Sequence, residues 1–327
     1  MYYKLWNKFI KLIVYLDKNI NVNDLKMFLG NYLMFEQIND INEHVDLLIY
    51  FSNINNDGII IDNHSIKKDG NKLYITIDNN DPDEILFIKR ILIDLTNKIF
   101  ELKGGIFLHS SSIVCLDKSV LFIGNKGAGK TTNMLYTLLQ DDIKYSSNER
   151  TGIILENNKL LTYGNPTRIN VRADSLKQNH ILKQRLWSCI DKDKYTLYNS
   201  MNLSKDCSER IVVSFNDLAK CLDVEIKPFS NLGAICNLVY DSNIDFKMDK
   251  VNFETLNDIL DKSIIDGIFI QREKLNDMFP NNNVILQDLL KKSKINFYNI
   301  YQNNTKNNSK QIVKILKRDF KNEGNFR

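Results

Sequence analysis

Residues 124–131 read Gly-Asn-Lys-Gly-Ala-Gly-Lys-Thr, a complete G-x-x-x-x-G-K-[ST] pattern. The apolar run Ser119–Ile123 leads into it, and the helical pattern Thr132–Leu139 leads out. Strand, glycine-rich turn and helix in that order let successive backbone N–H groups and the positive helix end gather around phosphate oxygens. A side chain at 127 or 129 would hold the backbone away from them, which is why glycine stands there. Gly124, Asn125, Lys126, Gly127, Ala128, Gly129, Lys130, Thr131 and Thr132 are therefore expected to cradle ATP or GTP. In that cradle Lys130 reaches the β/γ oxygens and Thr131 holds Mg²⁺.

The remaining composition narrows the class. The chain has 327 residues, 43% apolar and 26% charged, enough for one large or two ordinary domains with a buried core. A net charge of +4 with no basic block argues against a nucleic-acid partner. Cys115, Cys189, Cys207, Cys221 and Cys236 include no C-x-x-C pair, and no histidine stands at ligand spacing from them. They read as reduced thiols of a cytoplasmic protein and not as a zinc site. No run approaches the ~20 apolar residues of a membrane span, so no membrane partner is expected. The apolar N-terminus is interrupted by Lys4, Lys8 and Lys11 and lacks a small-residue cleavage site. It reads as a buried strand or helix, not a signal peptide. A homo-oligomer is compatible with all of this.

Three segments follow from the pattern: an N-terminal α+β region over 1–80, a core over 81–245 and a mainly helical region over 246–327. In the first, Val45–Phe51 and Lys72–Ile77 read as strands between Asn/Asp/Gly turns. Asp81-Pro82-Asp83-Glu84 is a helix start, and Ile85, Ile88, Ile91, Leu92, Leu95 and Ile99 carry helical spacing to Gly104-Gly105. Strands are expected at 143–147, 152–156, 159–163, 168–172, 210–215 and 234–240, with Asn157-Asn158 as a turn. Residues 302–309 read as a flexible link to a basic helix over 310–321, whose Ile312, Ile315, Leu316 and Phe320 share a face suited to docking on the protein.

One connection departs from the ordinary setting of such a loop. Only Leu116-Asp117-Lys118 separates the apolar runs Ile106–Cys115 and Ser119–Ile123. A link that short permits an antiparallel hairpin and forbids a parallel crossover, which needs a dozen residues or more.

With that hairpin the stretch from Gly104 to Arg172, about 70 residues, resembles the HPr kinase/phosphorylase catalytic domain, related in turn to phosphoenolpyruvate carboxykinase. His109, the hairpin and Lys130-Thr131 stand in the order that family has them. The resemblance implies an α/β fold with a mixed, largely antiparallel sheet. It also implies a kinase that passes the γ-phosphate to a hydroxyl on a peptide, a protein or a small metabolite. Carried over residue by residue, His109 and Glu149 align the acceptor, and Thr131 and Glu149 hold the metal. Where the family has two aspartates after the loop helix, this chain has Asn148-Glu149. Asn148 cannot take a proton from a hydroxyl at neutral pH.

Arg150, Arg168 and Arg172 are candidates for stabilising charge on the transferred group. Asp141 and Asp142 are alternative acids, although they are expected in a solvated turn. Two other classes stay open. A nucleotide-hydrolysing switch would use a parallel strand ending at Asp241 to hold Mg²⁺, and a non-catalytic binding module would fit the lost acid at 148. An antiparallel neighbour on the loop strand favours the kinase, and a parallel neighbour ending at Asp241 favours the switch.

Overall fold

A computed structural model describes residues 1–16, 22–29, 32–41, 44–52, 57–61, 64–77, 84–165, 169–172, 176, 179–189, 210–265, 277–280, 286–291, 293–303 and 305–324. The helix start expected at Asp81-Pro82-Asp83 and the candidate Arg168 lie outside them. The chain is mixed α/β. Its contacts divide it into one unit of Met1–Gly105 with Asp266–Val284 and another of Ile106–Ile265 with Ile285–Arg327.

In the first unit, β1 (Tyr2–Trp6), β2 (Lys11–Tyr15), β3 (Met34–Ile38), β4 (Leu47–Ser52), β5 (Ile59–Ile61), β6 (His64–Asp69) and β7 (Lys72–Thr76) form one sheet, ordered β3-β1-β2-β4-β7-β6-β5. The N-terminal apolar run is thus a strand pair, with Tyr2 opposite Tyr15 and Trp6 opposite Lys11. Tyr3 and Leu5 alternate inward between the half-exposed Tyr2, Lys4 and Trp6, the period expected of a half-buried strand. Helices α1 (Val22–Leu29) and α2 (Glu84–Leu102) complete this unit. Ile88, Ile91, Leu92, Leu95 and Ile99 of α2 are buried as their spacing predicts, Ile85 is only partly covered, and from Ile91 to Glu101 the polar positions are buried as well; α2 belongs with the N-terminal sheet by its contacts.

The second unit is built on a larger mixed sheet. It contains β8 (Ile106–Leu108), β9 (Ser111–Cys115), β10 (Lys118–Ile123), β11 (Ile143–Ser147), β12 (Thr151–Glu156), β13 (Lys159–Gly164), β16 (Phe229–Tyr240), β17 (Phe246–Val251), β18 (Ile264–Ile265) and β19 (Asn296–Gln302). The order runs β11-β9-β10-β16-β13-β12-β8-β18, and β19 lies on β16 with β17 outside it. A separate ribbon pairs β14 (Ile169–Arg172) with β15 (Arg210–Val213). Helices α3 (Lys130–Thr137), α4 (His180–Cys189), α5 (Phe215–Leu222), α6 (Phe253–Ser263), α7 (Leu286–Lys291) and α8 (Thr305–Gly324) accompany it.

Both short turns close as two-residue hairpins. Cys115 pairs with Lys118 across Leu116 and Asp117, and Glu156 pairs with Lys159 across Asn157 and Asn158. All four loop residues have φ between 48° and 59°, the mirror-image turn that suits the twist of paired strands.

The run Ile106–Cys115 is not one strand. It breaks at His109-Ser110, so that β8 pairs with β12 and β18 while β9 pairs with β10 and β11. After residue 245 the chain supplies strands as well as helices, because Phe246–Val251 and Asn296–Gln302 join the large sheet. The expected link at 302–309 is mostly helix: α8 begins at Thr305, directly after β19. Its Ile312, Leu316 and Phe320 are buried, and α8 packs on α3 as the apolar face requires. Among the described residues no helix is long and apolar enough to cross a membrane.

Candidate functional site

The loop after β10 is positioned by what its glycines exclude. Gly124 has φ 143°, and a Cβ there would come within 2.8 Å of the Leu238 carbonyl oxygen on β16, so no side chain fits. Gly129, at φ 91° and ψ 21°, is the N-cap of α3 and brings no side chain to satisfy the first turn. The first N–H groups of a helix have no partner within it, so this end is left to whatever sits in the loop. Asn125, Lys126 and Gly127 form its exposed rim, with Ala128 and Thr132 partly covered.

Lys130 folds back over the loop, its Nζ donating to the carbonyls of Gly124 at 2.8 Å and Asn125 at 3.3 Å. Burial holds its pKa below the usual lysine range.

The facing wall comes from the end of β11. Its register with β9 is irregular between Tyr145 and Ser147, and the chain then turns through Asn148, Glu149 and Arg150 into β12. Glu149 sits at φ 66°, a left-handed conformation unusual for a residue with a long side chain. Asn148 is fully buried, and its Oδ1 accepts from Ser111 Oγ at 2.7 Å and from Thr131 Oγ1 at 3.0 Å. The amide oxygen therefore does the accepting that a carboxylate would do; what it lacks is the charge. Beneath it Ser147 Oγ shares hydrogen bonds with Ser112 Oγ at 3.0 Å and Thr151 Oγ1 at 2.8 Å. These buried hydroxyls satisfy one another, which fixes the wall.

His109, at the break between β8 and β9, lies 3.1 Å through Nδ1 from the Glu149 carbonyl oxygen. A carbonyl can only accept, so Nδ1 carries the proton and Nε2 keeps its lone pair. Desolvation first, then the charges of Lys130 and Arg150, pull the His109 pKa below 6.5, and its contacts with Glu149 only partly offset them. At neutral pH the ring is uncharged. The Glu149 carboxylate accepts from Asn170 Nδ2 of β14 at 3.0 Å, and this orients it.

The structure thus brings His109, Lys130, Thr131, Asn148, Glu149 and Arg150 into one neighbourhood. Arg150 is half-buried, its backbone N–H donating to the Asn148 carbonyl at 2.9 Å. Arg172 ends β14 opposite Arg210, and only its backbone is described. Asp141 and Asp142 lie apart in an exposed turn, where Lys317 of α8 meets Asp142 at 3.1 Å.

The two topologies set against each other above both occur. β10 has antiparallel β9 on one side and parallel β16 on the other, and Asp241 follows β16 directly. Yet Ile123 is level with Asn237, so Asp241 stands four residues beyond the end of the loop strand. Its carboxylate accepts from the Asn243 N–H at 2.9 Å in a turn of its own. The hydroxyl of Thr131 faces Asn148 instead.

Ser111, Asn148 as an acceptor and Asn170 were not singled out by sequence reasoning as a connected set. The run His109-Ser-Ser-Ser112 inside an apolar stretch was the available signal for the first. Nothing local marks Asn170, which depends on where β14 is placed.

No family model matches the sequence, and no curated protein does. Among solved structures the chain matches the Hpr(Ser) kinase/phosphatase from Coxiella burnetii at 13% identity, covering 67% of this chain and 98% of that one, with a TM-score of 0.33.

Proposed function

We propose that the chain is a phosphotransferase that moves the γ-phosphate of ATP or GTP to a hydroxyl on a peptide, a protein or a small metabolite. The observation that carries this reading is the convergence on Asn148: Thr131 from the glycine loop and Ser111 from the antiparallel neighbour meet one buried acceptor, with Glu149 and His109 adjoining. The loop, Lys130 and the uncapped start of α3 suit the phosphates. Thr131 Oγ1, Asn148 Oδ1 and the Glu149 carboxylate are hard oxygen donors of the kind Mg²⁺ takes alongside substrate phosphates. When bound, Mg²⁺ would neutralise charge on the β/γ oxygens.

The chain's own groups then do the following. Lys130 draws charge from the phosphate chain, and His109 Nε2 or Glu149 accepts the proton of the acceptor hydroxyl. The acceptor oxygen forms the new O–P bond as the bond to the β-phosphate oxygen breaks, and the nucleoside diphosphate leaves. Arg150 is available to the equatorial oxygens. The test is transfer of label from γ-labelled ATP and GTP, with Mg²⁺, into a dialysed extract and into its small-molecule fraction. Label in an acceptor supports the kinase. Label released solely as inorganic phosphate would favour the switch, the reading that parallel β16 keeps open.

Two further outcomes are expected. Asn148→Asp retains both accepted hydrogen bonds and adds one negative charge beside Thr131. It should lower the Mg²⁺ concentration for half-maximal transfer by about tenfold, roughly one charge interaction of 1.4 kcal/mol, read by Mg²⁺ titration of turnover.

His109, with its pKa depressed, should give an acid limb in kcat/KM that lies below pH 6.5 and is removed in His109→Asn. The sign for stability is the same. The unfolded chain binds this proton more readily than the folded one, so stability is retained above about pH 6.5 and falls as pH drops toward the lower folded value.

A further inference from the structure

Three parallel strands of the second unit lie side by side, Ile123 of β10 level with Asn237 of β16 and Asn237 level with Asn299 of β19. The glycine loop springs from the first, while the other two run on three residues further, to Tyr240 and Gln302. In open α/β sheets ligands sit beyond such carboxyl ends. A cleft of about 620 Å³ lies there, lined by Tyr240, Asp245, Phe246, Asn303, Asn308 and neighbouring polar groups. That is within the ~300–1,000 Å³ of small-molecule sites. A second cleft, of about 480 Å³, sits against Arg318, Asp319 and Asn322 of α8 and touches none of the loop's partners.

The larger cleft and the loop share a wall on two sides. Leu238 packs its carbonyl against Gly124, and Tyr240 follows two residues later on the same face of β16, about 7 Å along the strand. Gln302 Nε2 donates to the Ala128 carbonyl at 3.4 Å, and Asn308 Nδ2 donates to Gln302 Oε1 at 3.4 Å. Tyr240 is 67% exposed at the end of a strand whose preceding residues are largely buried, and partly exposed Phe246 lines the same cleft, both level with Gln302 on the strands that flank β19. Two aromatic side chains are thus available to a flat ring. Asp245 and Asn303, joined at 2.9 Å, present an acceptor and an amide to a polar ring edge or to ribose hydroxyls.

We propose that this cleft is the nucleoside subsite of the nucleotide whose phosphates the loop takes; the proposal rests on the phosphotransferase reading above. Its ligand is a purine nucleoside, with the base on Tyr240 and Phe246 and the polar edge on Asp245 and Asn303.

The test is calorimetric titration with ADP and, separately, with inorganic tripolyphosphate, both with Mg²⁺, on the wild type, Tyr240→Ala and Tyr240→Phe. Loss of one base–aromatic contact should weaken ADP about tenfold in Tyr240→Ala. Tripolyphosphate should bind all three proteins equally, and Tyr240→Phe should restore ADP. Unchanged ADP affinity in Tyr240→Ala, or an equal loss for both ligands, overturns the subsite and leaves the loop reading standing. A wild type that binds neither ligand overturns the loop reading and the subsite together.

Discussion

Lys130→Ala is expected to reduce phosphate transfer by about 10³-fold or more in kcat/KM while the protein stays folded. Removing one preorganised donor from a site of developing charge costs about 10²–10³, and here the donor also carries a full positive charge. Lys130 is only partly covered, and its own bonds are to two loop carbonyls, Gly124 and Asn125, which water can satisfy in its absence. The core therefore has no reason to loosen. Lys130→Arg should not rescue it: a bulkier planar fork cannot take the place of a compact ammonium folded back on its own loop. The measurement is label transfer from γ-labelled nucleotide, with far-UV circular dichroism as the folding control. Transfer within about threefold of wild type would remove the basis for the phosphotransferase.

Much of the arrangement around that lysine was legible because it is local. The strand, loop and helix of residues 118–137 follow from a short apolar run, three glycines and a helical pattern. The hairpin at Leu116-Asp117 follows from chain length alone, since two residues cannot cross over a sheet. Asn157-Asn158 is the same case, with residues that tolerate positive φ.

What could not be read depends on partners far along the chain. β16 serves as the hub of the large sheet: its residues 229–231 pair with β13 and residues 234–240 with β19, while the other edge follows β10. Gly233 marks the switch, where a Cβ would meet Lys118 and Phe320 at under 3 Å. A glycine in a strand suggests a bulge or a close approach. It does not say which of three later or earlier strands will come close. The break at His109-Ser110 escaped for the same reason: apolar residues stand on both sides of the polar run 109–112, and what changes across it is the pairing partners.

Asn148 shows the limit most sharply. Read against an expected acid pair it is a loss. In place it is a fully buried acceptor for Ser111 and Thr131, a role that depends on oxygen geometry and not on charge. Sequence shows the missing charge, and structure shows the retained hydrogen bonds.

With one charge gone from that pair, Glu149 carries the remaining carboxylate, and Glu149→Gln is expected to lower kcat by about 10²–10³. A positioned general base contributes about 10²–10⁴, and the same group is the charged donor available to Mg²⁺. The variant is nearly isosteric, so it tests charge and not space. Glutamine can still accept from Asn170 Nδ2, which now holds the carboxylate at 3.0 Å, and the backbone at φ 66° can keep the carbonyl that receives His109. The two roles separate on metal titration. If raising Mg²⁺ restores most of the rate, Glu149 acts by holding the ion; if kcat stays low at saturating Mg²⁺, it acts on the proton. His109→Ala alone should then cost less, because Glu149 remains to take the proton. A loss under about threefold at every Mg²⁺ concentration in Glu149→Gln, with His109→Ala also silent, would detach both residues from the chemistry and leave a nucleotide-binding loop whose transfer groups lie elsewhere.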